Sequence, residues 1–222
     1  VATFVVRVKA PNEAAPRPRR KTMGKSILDM SVSLDGFVCG PNETPANGLG
    51  DGGMRLHRWI GFDPEAAAGE DAWNAEGVNG EMMSSLMATG AVVAGRGTVE
   101  PAGWWGGDHH DGVAIFILSR TKTADDVAEW PLVTVVDDVR EAMARAKQAA
   151  GDRDVLVHGV GCATAALEAG VLDEVQLHLV PTLLGDGRRL FEGIDPDRAF
   201  EFELGDVRPG DGVTHLRYRV LR

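Results

Sequence analysis

Between residues 91 and 170 short apolar runs alternate with helical segments, and each run stops at a small or polar residue. Residues 91–94 (AVVA) end at Gly95, 113–118 (VAIFIL) at Ser119, 132–136 (LVTVV) at Asp137, and 155–157 (VLV) at His158-Gly159. A run that is apolar at nearly every position has no wet face. As a strand it must be covered on both sides, which parallel βα units achieve by laying helices on each face of a sheet. The alternation therefore predicts an α/β fold in three layers, helices on both faces of a mixed, mostly parallel central sheet.

The flanking segments extend this pattern. Ser26–Ser33 (SILDMSVS) reads as a first strand, and residues 40–53, rich in Gly, Pro and Asn, as a loop. Residues 54–60 fit one or two helical turns, Asp63-Pro64-Glu65 reads as a helix start, and 81–88 as a helix. Asp137 or Asp138 caps a helix that runs through Ala150 and closes at Gly151, and residues 162–169 form another. Val175, Leu177 and Leu179 fall on one face of a strand, and residues 200–204 (FEFEL) alternate. Asp211-Gly212 is a hairpin turn, and Thr214, Leu216, Tyr218 and Val220 share a face of the last strand, so the sheet should close on an antiparallel edge.

Pro11, Pro16, Pro18 and the run Arg19-Arg20-Lys21 set residues 1–22 apart as a basic extension, expected to be disordered. Residues 23–222 carry no internal linker or repeat and read as one domain. Lys and Arg number 23 against 33 Asp and Glu, a net charge of -10. That argues against nucleic acid and anionic membranes as partners, since both need a basic face. No apolar run approaches the roughly 20 residues of a membrane span. The two cysteines, Cys39 and Cys162, suit reduced thiols in a cytoplasm better than a disulfide framework.

Three of the turns carry groups that suit an anion. Gly95-Arg96-Gly97-Thr98 offers backbone N–H groups, a guanidinium and a hydroxyl. Ser119-Arg120-Thr121-Lys122 adds two hydroxyls and two cations. Gly159-Val160-Gly161 permits close backbone approach at the start of a helix, whose free N–H groups and dipole favour a phosphate. The alternative for each alone is a packing corner. Thr164 stands where a complete G-x-G-x-x-G motif would have its last glycine.

The order G-R-x-T, then S-R-T after a strand, then a strand ending H-G-x-G resembles the dihydrofolate-reductase superfamily. Ser33-Leu34-Asp35-Gly36, Leu172-Asp173-Glu174-Val175, Val180-Pro181-Thr182-Leu183-Leu184-Gly185-Asp186-Gly187 and Leu190-Phe191 are similar, more narrowly, to the reductase domain of the bifunctional riboflavin-biosynthesis deaminase–reductases. The resemblance runs from about Gly24 to Arg222. It implies an αβα domain that binds NADPH: Gly95, Arg96 and Thr98 at the pyrophosphate and adenosine phosphate, Ser119 and Arg120 at the 2′-phosphate, and Gly159, Val160 and Gly161 offering backbone to the pyrophosphate. Ser119–Lys122 contains no acid and two cations, which agrees with a 2′-phosphate rather than a free ribose hydroxyl. A homodimer is also implied.

The expected activity is hydride transfer to a polarised C=N or C=O of a small heterocyclic or sugar-linked molecule, with 5-amino-6-(5-phosphoribosylamino)uracil one candidate. Pterin reduction is a second reading, and an NADP(H)-binding protein without turnover a third. Asp35 is the candidate that orients substrate or relays a proton; the alternative is an Asp-Gly turn. The family commonly has a basic residue after S-x-D-G, where this chain has Phe37. Glu70, Asp71, Glu76 and Glu81 are the other carboxylates within reach of a dihydrofolate-reductase-type role. Asp108-His109-His110-Asp111 contains metal-ligand residue types but reads better as a solvated loop, so no metal is expected. Trp104 and Trp105 wall a pocket or cover a core edge, Trp59 and Trp73 pack, and His178 and His215 lie within strands as structural residues.

Overall fold

The computed structural model describes residues 23–61, 74–195 and 197–221. The basic extension, the helix start at Asp63, and Glu70, Asp71 and Trp73 lie outside these.

The elements follow as β1 (Ser26–Ser33), β2 (Phe37–Cys39), α1 (Gly77–Met87), β3 (Ala91–Gly95), the single turn α2 (Arg96–Val99), β4 (Ala114–Leu118), β5 (Val133–Val136), α3 (Val139–Ala150), β6 (Val155–His158), α4 (Val160–Glu168), β7 (Glu174–Val180), β8 (Arg188–Arg189), β9 (Phe202–Gly210) and β10 (Val213–Val220). Eight strands form one sheet in the order β5-β4-β3-β6-β1-β7-β10-β9. The first six are parallel neighbours, and β10 pairs antiparallel with both β7 and β9. The three-layer fold with its antiparallel edge is therefore as the alternation requires.

Side chains alternate across each strand, so each face has its own core. Leu28, Met30, Val93, Phe116, Val155 and Val157 pack with Ala142, Ala146, Ala163 and Leu167 of α3 and α4. Val92, Ala94, Ile115, Ile117 and Leu156 face the other way, towards Leu86 of α1 and Trp130. Met82 and Met83 of α1 extend that second layer over Leu56, Trp59 and Ile60. The last three belong to a 3₁₀ segment, Gly53–Ile60, where the sequence fits one or two helical turns.

Several boundaries shift for local reasons. Helix α1 begins at Gly77, four residues ahead of the apolar pattern. Helix α4 begins at Val160 rather than residue 162, because Gly159 adopts φ 94 and serves as its N-cap. The alternating segment at 200–204 opens a longer strand, β9, that runs to Gly210 along the free edge, where Pro209 is tolerated. The small antiparallel pair β2–β8 joins segments about 150 residues apart and has no local signature.

Leu28 is fully buried on a central strand, between β6 and β7. Leu28→Ala should destabilise the domain by about 2–5 kcal/mol, the usual range for a core leucine. Chemical denaturation read by circular dichroism checks this, and a loss under 1 kcal/mol would show that the layer is loosely packed.

Candidate active site

Strands β4, β3 and β6 are adjacent and parallel, so their carboxyl ends lie side by side. The three turns that follow them converge. A cavity of about 420 Å³ is lined by Gly95, Arg96, Thr98, Ser119, Arg120 and Gly161, with Arg188 of β8 at its side. Thr98 and Arg188 continue into a second cavity of about 320 Å³, where Gly159 and Val160 form the wall. That space shares Met30, Ser31, His57, Trp105 and His158 with a third and larger cavity of about 570 Å³. A continuous trough thus runs from an arginine-bearing mouth to the α1 side of β1.

The mouth gathers guanidinium, hydroxyl and backbone N–H groups. Arg96 is paired with Glu100 at 2.7 Å, and Arg188 with Glu43, while Arg188 also donates to the Gly97 carbonyl at 3.2 Å. Among the described residues the Arg120 guanidinium has no carboxylate partner. Ser119 Oγ accepts from the backbone N–H of Thr121 and Lys122 at 3.2 and 3.1 Å, which holds the turn closed. A Cβ on Gly161 would meet nothing within 4 Å and would project into open space, as a cradle for a bulky ligand requires. A Cβ on Gly159 would stand 1.9 Å from Thr98 Oγ1, so this glycine lets two of the turns press together.

The larger cavity is lined by histidines. His57, His109, His158 and His178 reach it, His110 bonds His109 through Nδ1–Nδ1 at 2.7 Å, and His215 bonds His178 in the same way at 2.7 Å. These are all six histidines of the chain. Burial pushes His57 down to about 4 and His109 to about 3, with nearby His158 adding to both, and burial lowers His158 as well. They are neutral imidazoles at pH 7. His57 Nδ1 and His158 Nδ1 are buried with no hydrogen-bond partner. The 109–110 pair is thus a wall of the cavity and not a solvated loop, since His110 is 4% exposed and its Nε2 lies 3.1 Å from Thr89 Oγ1. His178 and His215 lie within strands as expected, buried and hydrogen-bonded, and His178 also lines the cavity.

The remaining walls are aromatic and apolar. Trp59 donates from Nε1 to Ser31 Oγ at 2.9 Å and lays its ring 4.3 Å from His178. Trp105 lines the cavity from a left-handed turn, φ 51, while Trp104 stacks on Trp130. Asp29 is the one carboxylate among the described lining residues, and no lysine or arginine is among them. Among the described residues no group of three or more His, Cys, Asp or Glu could hold a metal ion, and both cysteines are free and buried.

Asp35 lines none of these cavities. Its carboxylate accepts from Ser33 Oγ at 2.6 Å, Gly185 N at 2.8 Å and Leu184 N at 3.2 Å. The Ser33 hydroxyl first, then the backbone donors, hold it down at about 2. The Phe37 ring next to it carries the Arg189 guanidinium at 4.2 Å, so a cation stands beside position 37 after all, supplied by β8. Glu81 is tied to Arg208 at 2.5 Å, and neither it nor Glu76 reaches the trough.

Sequence reasoning thus finds the mouth of the trough and misses its interior. Arg188 follows directly on the Gly185-Asp186-Gly187 motif, and His158 precedes Gly159, so position alone marks both. Asp29 and His57 give no local signal.

The RibD C-terminal domain family matches residues 25–216. No curated protein sequence matches the chain. Among solved structures, a protein of Shewanella sp. PV-4 assigned to riboflavin biosynthesis shares 20% identity at TM-score 0.64, over 89% of this chain and 99% of that one. The diaminohydroxyphosphoribosylaminopyrimidine deaminase/5-amino-6-(5-phosphoribosylamino)uracil reductase of Thermotoga maritima shares 15% at 0.56, over 90% of this chain and 57% of its own length. A pyrimidine reductase-like protein of Corynebacterium diphtheriae shares 12% at 0.58, over 90% and 92%. Among the described residues no helix is long and apolar enough to cross a membrane. With more than four-fifths of its length matched, the chain belongs to the RibD C-terminal domain family, a family of pyridine-nucleotide-dependent reductases.

Proposed function

We propose that the trough holds NADPH and that the domain reduces a C=N or C=O group of a small heterocycle. The observation that carries this reading is the continuity of the three cavities, from the Ser119-Arg120 mouth to the histidine-lined interior. Arg120 and Ser119 would take the 2′-phosphate, and Gly95, Arg96, Thr98 and the N-terminus of α4 the pyrophosphate. Bound there, the dinucleotide would supply a hydride, one proton with two electrons, to the substrate carbon. The protein's part is to orient the substrate, exclude water and deliver a proton. A cavity with no lysine or arginine among its described lining residues favours a substrate whose buried part is flat and uncharged. The aminouracil of a ribosylaminopyrimidine fits that description, with its phosphate left outside, and so does a pterin.

Asp35 in this reading ties the turn after β1 to the segment at 184–185 and so shapes the rim. A carboxyl held near 2 has no proton to donate at neutral pH. The exposed Leu204 and Val207 on the free-edge strand β9 support a homodimer, and light scattering should return twice the chain mass. A monomer at micromolar concentration would remove that part of the reading.

An NADPH-oxidation assay with 5-amino-6-(5-phosphoribosylamino)uracil and with dihydrofolate tests the function and separates its two substrate classes. NADPH binding without turnover of either would favour the binding-protein alternative. Cofactor titration should show NADPH bound more tightly than NADH. Arg120→Ala should weaken NADPH by about tenfold or more and leave NADH unchanged, since one charge-assisted contact contributes roughly 1.5–3 kcal/mol. Gly161→Val should fold normally and weaken both; unchanged affinities in the two variants would place the dinucleotide elsewhere.

The Asp35 tie has a pH signature. Its folded value of about 2 lies below the ordinary carboxylate value of 3.8, so its stabilising contribution is complete above about pH 4 and disappears as pH falls through about 2. The difference in melting temperature between wild type and Asp35→Asn should be constant from pH 7 to 5 and shrink from 4 to 2. A difference that is flat over the whole range would mean the carboxylate is not held by these donors.

A further inference from the structure

The buried chain Asp29–His178–His215–Asn79 crosses three strands and α1. Asp29 Oδ1 lies 3.0 Å from His178 Nε2, His178 Nδ1 lies 2.7 Å from His215 Nδ1, and His215 Nε2 lies 3.1 Å from Asn79 Oδ1. One end is fixed. Asn79 Nδ2 donates to the Trp59 and Asp211 carbonyls at 2.9 and 3.0 Å, so its amide cannot be turned round and Oδ1 must accept. His215 Nε2 therefore carries a proton. The two nitrogens 2.7 Å apart need one proton between them, and the Asp29–His178 contact needs another. That makes three protons on three groups, where an ionised carboxylate and two neutral imidazoles hold two. The chain thus stores one extra proton and is neutral overall.

The neighbouring pair differs. His110 Nε2 faces the Thr89 carbonyl at 3.2 Å and Thr89 Oγ1, whose own proton goes to the Leu86 carbonyl. Its Nε2 is thus a donor, and one proton lies between His109 and His110. Two neutral imidazoles account for both protons, so nothing is stored there. The extra proton belongs to the Asp29 chain, and it has an outlet. The Asp29 side chain is 13% exposed against 2% for His178, both line the larger cavity, and Oδ2 of Asp29 makes no hydrogen bond among the described residues.

Building on the reductase reading, we propose that the Asp29–His178 pair is the catalytic proton donor. As the substrate carbon would gain a hydride, one proton with two electrons, from the bound dinucleotide, the C=N or C=O π bond would break. Its electron pair would move to the heteroatom, which takes the stored proton from Asp29 as the carboxyl turns its protonated Oδ1 from His178 into the cavity. The chain is left one proton short with a charge of -1, and solvent restores the proton after product leaves. His215 and Asn79 are positioning residues that keep the His178 ring turned towards Asp29. The titratable groups around the pair are His57 from the 3₁₀ segment, His109 from the loop between α2 and β4, His158 on β6 and His215 on β10. Arg217 shares a small pocket with Asp29, and Arg208 lies near His215.

The test has one arm that needs no substrate. Histidine nitrogen and aspartate carboxyl resonances of the full chain are followed by NMR from pH 5.5 to 8.5, in wild type and Asp29→Asn. At pH 7 wild type should show the additional proton, either as a second N–H on His178 or as a protonated Asp29 carboxyl. In Asp29→Asn the amide donates to His178 Nε2, and both imidazoles should be neutral single tautomers. An ionised Asp29 beside two neutral imidazoles in wild type overturns the proposal. In the second arm, Asp29→Asn should bind NADPH as wild type does and turn over the compound accepted in the reductase assay about 10²–10⁴-fold more slowly. Its rate should also lose the fall at high pH that wild type shows. An unchanged turnover number overturns the catalytic role. If wild type carries the proton but reduces neither compound, the reductase reading fails and the proton store stands.

Discussion

Thr98 and Gly159 touch, and the site depends on that contact. The turn after β3 and the turn after β6 lie so close that Thr98 Oγ1 occupies the space where any side chain at 159 would begin. With φ at 94 the glycine turns the chain sharply into α4, so the free N–H groups of that helix open on the same space as Arg96 and Ser119. A larger residue at 159 would part the two turns and split the trough at its narrowest point. The meeting of the three turns is therefore a product of strand order: β4, β3 and β6 must be neighbours before their turns can line one cavity.

Beneath the mouth the same strands change character. On β1 the residues Leu28, Met30 and Val32 pack on α3 and α4, while Asp29 and Ser31 face α1. On β7 Leu177 and Leu179 pack with the first layer, while His178 faces the cavity. Register sets Ser31 beside His178 and His178 beside His215, so three strands contribute one polar row under an otherwise apolar layer. Burial keeps the outer histidines neutral. Asn79, reaching from α1, fixes the proton arrangement of the inner two. A neutral, aromatic interior beside a cationic mouth suits a long anionic cofactor whose reactive end meets a flat, uncharged group.

That division explains what could be read from the sequence. The parallel sheet, the antiparallel edge and the three turns rest on short-range patterns: continuous apolar runs, glycine at strand ends, caps before helices. The row Asp29–His178–His215 rests on register between strands, its contacts spanning 149 and 37 residues of chain, and no short window of sequence contains it. His178 was legible as a strand residue but not as a cavity residue, because a polar side chain in a strand looks the same whether it faces a cavity or packs against a neighbour. Asp35 shows the reverse case. Its Ser-Leu-Asp-Gly setting is conspicuous locally, yet Ser33, Leu184 and Gly185 take up its carboxylate.

The central claim is that one dinucleotide fills the mouth and the middle cavity and presents its reactive ring to the histidine-lined interior. The most direct measurement is a crystal structure of the full chain grown with NADPH. The account expects the 2′-phosphate against Ser119 and Arg120, the pyrophosphate over Gly95 and Gly161, and the nicotinamide between Ser31 and His158, open towards Asp29. A dinucleotide bound outside this trough, or one whose ring lies at the arginine-bearing mouth, would contradict it.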